Sequence, residues 1–104
     1  MTQTLPLAVV RYLAATTPEQ VADCFTEDGL ALDERRSHQG RDAILRWREE
    51  VAKIRYRQDI LSGDHSGDRA QVRCRLTGDF KGSPVELDYR FDLAGDRIAR
   101  LEIS

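Results

Sequence analysis

The chain has 104 residues, 40% of them hydrophobic and 33% charged, with 16 basic against 18 acidic side chains. That is enough for one core in a single domain over residues 1–104, and a net charge of −2 supplies no basic surplus with which to hold nucleic acid. Cys24 and Cys74 stand far apart with no CxxC and no Cys/His cluster, which argues against a zinc site and for two buried thiols in a reducing compartment.

Residues 5–15 predict a helix, with Leu5, Ala8, Val9, Tyr12 and Leu13 on one apolar stripe. The LPLAVV run within it does not read as a signal peptide, because no Lys or Arg precedes it and Arg11 interrupts it. No run approaches the roughly 18 apolar residues of a membrane span, so a cytoplasmic protein away from membranes is expected. A second helix is announced by Thr17 as N-cap, Pro18 at the first helical position and Gln20 three residues after the cap. Val21, Ala22 and Phe25 form its buried side, and it stops in TEDG, where Gly29 suits the turn after a helix.

Residues 30–36 read as a strand and SHQG as a turn. A third helix follows, with Ile44, Trp47, Val51 and Ile54 on its apolar face and the pairs Arg46/Glu50 and Glu49/Lys53 outside. Charge is segregated along this part of the chain: net −5 over residues 1–34 and +5 over 35–57. Such a basic block is most often one solvated face with its counter-charges nearby, and otherwise steers an anionic ligand or faces an acidic surface of a partner. From Tyr56 the period becomes two. Residues 56–62 form a strand ended by GDHSGD. Ala70, Val72, Cys74, Leu76 and Phe80 then alternate with polar partners, and after KGSP so do Val85, Leu87, Tyr89, Phe91 and Leu93. IARLEIS closes the chain as a last strand. Helices first and a meander afterwards predict an α+β fold, with helices on one face of a curved antiparallel sheet.

Three segments carry a family resemblance: CFTEDGLALD, HQGRDAILRW and VELDYRFDLAGDRIARLEI. In this order they resemble the SnoaL-like group of the nuclear transport factor 2-like superfamily, from about residue 7 onward. The resemblance implies a cone-like, strongly curved sheet packed around a long helix, with two N-terminal helices (a cystatin-like roll), a pocket at the open end and homodimers formed through the sheet. Activities in the superfamily range from isomerases, cyclases and dehydratases to domains that only bind or scaffold, so the fold does not specify the chemistry.

Within that superfamily, ketosteroid isomerase pairs an Asp base with an oxyanion hole made of a Tyr and a protonated Asp. By resemblance Tyr12, in VVRYLAA, matches the tyrosine, and Asp33, following Phe25 and Asp28, matches the base. The third position is Leu87, on the apolar face of its strand, while Asp88 belongs to the charged face, so the second acid is missing and chemistry of that kind is not expected. His38, just before the glycine that opens the third helix, is a candidate to exchange protons with Asp33. Trp47, Tyr56, Leu87, Tyr89 and Phe91 are candidate walls for a small apolar ligand. A rival orientation has Asp33 outward, away from Leu30 and Leu32 and beside Arg35 or Arg36.

No Ser-His-Asp order, P-loop or dinucleotide glycine pattern is present, and neither cofactor nor metal is expected. The clipped turn between the first two helices and the absence of residues after Ser104 favour a shallow or filled pocket. The leading expectation is therefore a ligand-binding or structural homodimer, and the rival is an acid-base enzyme for apolar carbonyl compounds using Asp33 and Tyr12. The outer sheet face is heavily charged, which would make such a dimer wet and cross-paired.

Overall fold

A computed structural model describes residues 5–104. Among them lie α1 (Leu7–Ala14), α2 (Pro18–Asp23), β1 (Phe25–Asp33), β2 (Arg36–Gln39), α3 (Arg41–Val51), β3 (Tyr56–Ser66), β4 (Arg69–Gly78), β5 (Val85–Ala94) and β6 (Arg97–Ile103). The strands form one curved, unclosed sheet in the order β2-β1-β6-β5-β4-β3, with the helices packed against it. The expected α+β roll is the observed one. One correction concerns strand direction: β1 runs parallel to β6, whereas every other neighbouring pair is antiparallel. Three consecutive hairpins deliver β6 beside β1, and period-two patterning does not encode the direction of a neighbour.

α2 begins as its sequence signals require. Thr17 Oγ1 accepts from Gln20 N at 3.1 Å, which satisfies one free helix-end N–H, and Gln20 Oε1 accepts from Thr16 N, just before the cap, at 2.8 Å. The helix stops earlier than expected, at Asp23, and Phe25 opens β1 instead of closing the helix. The cause is tertiary: Ile98 N donates to Cys24 O at 2.7 Å and draws the chain into the sheet. Arg41 then donates twice to Phe25 O, at 3.0 and 2.9 Å.

The expected SHQG turn is the end of a strand. β1 and β2 form a hairpin in which Asp33 faces Arg36 across a two-residue turn. Glu34 and Arg35 occupy that turn with φ of 52° and 66°. Tight hairpin turns of this hand usually take Asn-Gly, so two charged residues gave no signal, and each left-handed residue costs on the order of 1–2 kcal/mol. Gly40 follows with φ 87°, which only glycine adopts freely, and its N–H donates to Gly29 O at 2.8 Å. α3 ends at Val51, so Ile54 lies beyond the helix, 42% exposed. Neither outer pair expected on α3 forms an ion pair among the described residues; Lys53, just past the helix, pairs with Glu50 instead, at 3.1 Å.

β3 runs on to Ser66, past the expected end at residue 62. At the other end of the β3–β4 pair, Gly78 is required by close approach. A Cβ there would lie 2.2 Å from Arg55 O and 2.6 Å from Tyr56 Cα, both rigid backbone. The concave side holds the core, including Val9, Tyr12, Phe25, Ile44, Trp47, Val72, Cys74, Tyr89, Phe91, Ile98 and Leu101. Burial lifts the Cys74 thiol to about 11 and raises that of Cys24 as well, so both are poor nucleophiles at neutral pH. The convex side carries the expected charges. Arg73 bonds Glu86 at 3.2 Å and Asp88 at 2.9 Å, and Arg75 bonds Glu86 at 2.9 Å. No helix among the described residues is long and apolar enough to cross a membrane.

Candidate functional site

One end of the sheet holds a cavity of about 350 Å³. The end of β1, the second half of α3 and the start of β3 contribute Asp33, Trp47, Arg48 and Tyr56. The β4–β5 hairpin and β6 contribute Leu76, Phe80, Val85, Leu87, Tyr89 and Ile103. A neighbouring hollow of about 290 Å³ shares Asp33, Phe80, Leu87 and Ile103 and prolongs the cavity past its mouth. Phe80 and Lys81 line the cavity opposite Trp47, Arg48 and Val51 of α3, with open space between them. Larger hollows of about 410 and 590 Å³ lie over the charged convex face and beside Arg11, Arg41 and Arg97. We place the site in the smaller cavity, where apolar walls meet shielded polar groups.

Asp33 faces this cavity. Its Oδ2 accepts a hydrogen bond from Trp47 Nε1 at 3.2 Å. Along the second half of β1 the buried residues are Gly29 and Ala31, and Asp33 lies on the same face; Leu30 and Leu32 are only half-buried. The sequence misled because two leucines look more inward than one alanine. Arg35 and Arg36 are exposed and make no ion pair with Asp33 among the described residues. Just beyond Asp33 comes the strained Glu34–Arg35 turn, and strain of this kind tends to gather at functional sites.

Tyr12 is not a wall of the cavity. Its ring is buried edge-on to Phe91, Tyr89 and Phe25, with centroids at 5.5, 6.2 and 6.4 Å. Its hydroxyl is buried and finds no hydrogen-bond partner among the described residues. Burial raises the Tyr12 phenol well above its ordinary value, and that of Tyr89 too. Phe91, expected as a wall, is instead core at 1% exposure, below the cavity. His38 is stacked on the Trp47 indole at 5.4 Å and 15°, outside the lining. Trp47, Tyr56, Leu87 and Tyr89 do line the cavity. Asp88 points to the convex face and Arg73, as the alternation around Leu87 requires. Among the described residues no cluster of His, Cys, Asp and Glu is arranged to hold a metal.

A proposed polyketide cyclase from Sinorhizobium meliloti is 39% identical to this chain, over 96% of it and 95% of its own length, with a TM-score of 0.90. The chain belongs to the SnoaL-like group of the nuclear transport factor 2-like superfamily. Two further structures show the same fold at lower identity. One, from Catenulispora acidiphila, has a ketosteroid isomerase-like fold and was solved with trimethylamine; it is 21% identical, covering 97% of this chain and 86% of that one, TM-score 0.84. The other, a proposed SnoaL-like polyketide cyclase from a Jannaschia species, is 17% identical, covering 100% and 90%, TM-score 0.75. No family model and no curated protein matches the sequence.

In this SnoaL-like domain the sequence reading missed Arg48. Ile44, Trp47, Arg48 and Val51 fall at i, i+3, i+4 and i+7, so Arg48 occupies an inward position of the apolar stripe. That misplaced charge was the available signal. The guanidinium lies 5.2 Å from the Trp47 ring and 6.0 Å from the Tyr12 ring, and donates to Tyr56 Oη at 3.3 Å. Burial works against its charge, the tyrosine oxygens around it outweigh that, and the net direction is upward. It is a cation at any physiological pH.

Proposed function

We propose that this SnoaL-like domain binds a small, mostly apolar molecule in the cavity between α3 and the β4–β5 hairpin. The observation that carries the reading is the lining itself. Leu76, Val85, Leu87 and Ile103 offer an apolar wall, and Asp33, Trp47, Arg48 and Tyr56 face it with a few polar groups, the usual division of labour in a ligand site. Trp47 is the single tryptophan of the chain, so it reports directly on the cavity. Titration with octan-1-ol should change Trp47 fluorescence and saturate. An unsaturable response up to the solubility limit of the alcohol would remove this reading.

The same domain is proposed to act as a homodimer joined through the convex face of the sheet. The ladder formed by Arg73, Arg75, Glu86 and Asp88 is already paired within the chain, so two copies can meet there without burying an uncompensated charge. Such an interface is wet and sensitive to salt. Sedimentation should give two chains per particle at low ionic strength and a shift toward one as salt rises. A single chain at every salt concentration rules the dimer out.

Asp33 favours a second reading, acid-base catalysis on an apolar carbonyl compound. Its carboxylate is held against the cavity by the indole and leaves Oδ1 free of protein partners among the described residues. In such a step the C–H bond beside the carbonyl breaks, the proton passes to Asp33, and the electron pair moves onto the carbonyl oxygen. Arg48, rather than the buried Tyr12, is the group on the wall suited to face that oxygen. The name of the Sinorhizobium meliloti relative, a polyketide cyclase, is of the same chemical kind.

A further inference from the structure

We propose that Arg48 makes the cavity selective for molecules whose apolar body ends in an anionic head, a carboxylate above all. The inference rests on the cavity being a ligand site and goes on to say what enters it.

Arg48 is unlike the other arginines packed against the sheet. Arg73, Arg75 and Arg90 reach carboxylates on the convex face, and Arg41 and Arg97 donate to the backbone carbonyls of Phe25 and Asp23. Arg48 points inward, half-buried, to one phenol oxygen and the faces of two aromatic rings. Among the described residues no carboxylate forms an ion pair with it. A guanidinium withdrawn from water without a counter-charge is unfavourable, and its planar fork fits a carboxylate with two parallel hydrogen bonds.

Two acids share the cavity but do not neutralise it. Asp33 is engaged by the Trp47 indole, and Glu34 is exposed at the rim, where the exposed Lys81 also stands. The ring of Tyr12, whose buried hydroxyl has no partner among the described residues, lies beneath the same guanidinium. An anionic head seated on Arg48 and Tyr56 would leave its chain along Leu76, Val85 and Leu87.

The test compares octanoate, octan-1-ol and octylammonium, three ligands with one chain and different heads, by Trp47 fluorescence. Octanoate is expected to bind at least ten-fold more tightly than octan-1-ol, and octylammonium more weakly than either. Arg48→Gln should weaken octanoate at least ten-fold more than octan-1-ol and so abolish the preference, and Arg48→Lys should keep part of it. If octan-1-ol saturates and octanoate binds no tighter, the selectivity is refuted while the ligand site stands. If no ligand saturates, the ligand site itself is refuted and this inference with it. A preference that survives Arg48→Gln assigns selection to another group and overturns the proposal. Should Arg48→Gln not fold, the comparison of heads on the unaltered protein still decides.

Discussion

Asp33→Asn is expected to slow proton abstraction from a bound ketone by about 10²–10⁴-fold, the usual worth of a positioned general base. A suitable substrate is 2-tetralone, apolar and with an acidic C–H beside its carbonyl. Its exchange in deuterated water is followed by NMR, with the uncatalysed rate subtracted. Asparagine keeps the shape and an oxygen to accept from Trp47 Nε1, now 3.2 Å from Asp33 Oδ2, so the wall stays intact and only the base is lost. Tyr12→Phe serves as the contrast. The Tyr12 hydroxyl is buried without a partner among the described residues, so removing it should leave exchange unchanged and stability equal or higher. Exchange that is no faster than buffer with the unaltered protein, or that survives Asp33→Asn, eliminates the acid-base reading. Loss of exchange in Tyr12→Phe would restore the tyrosine to the role the family comparison suggested.

Phe25→Ala should destabilise the fold by about 3–5 kcal/mol. Phe25 is 0% exposed, opens β1 and meets Tyr12 edge-on at 6.4 Å. Behind it is Gly29, where a Cβ would sit only 2.9 Å from that of Phe25, so no neighbouring side chain is available there to fill the hole. Against a total stability of roughly 5–15 kcal/mol for a domain, the loss is large. Urea unfolding read by Trp47 should show a lower midpoint with an unchanged slope. A change below about 1 kcal/mol would mean that the ring is not enclosed as described.

Much of the fold was legible because it is written in local chemistry. The Thr17–Pro18–Gln20 cap set the start of α2, and alternation from Ala70 to Leu93 set both strands and faces of the central hairpin. The same alternation placed Leu87 toward the cavity and Asp88 toward Arg73. Errors arose where a distant partner overruled the local signal. Phe25 left its helix for pairing with β6, and the β1–β2 hairpin turned through Glu34 and Arg35 without the residues such turns prefer. Of the residues named as candidate site, Asp33, Trp47, Tyr56, Leu87 and Tyr89 meet in one cavity. Tyr12 and Phe91 lie beneath it, and His38 is stacked behind the indole.

By itself the sequence determined the fold class, the apolar and charged faces of the sheet, and the loss of the second acid at Leu87. The first two follow from periodicity, which depends on a residue and its near neighbours in the chain; the third needs the family resemblance to mark the position, and periodicity then turns Leu87 inward and Asp88 outward. Only the tertiary structure decided that Asp33 faces inward, that Tyr12 is sealed off, and that Arg48 is half-buried with no carboxylate partner among the described residues. Those facts depend on which elements meet: Ala31 rather than the leucines sets the inward face of β1, and the gap between α3 and the Phe80 loop leaves the cavity open. A guanidinium's partner, or the want of one, is a property of contacts across the whole chain, and no local pattern contains it.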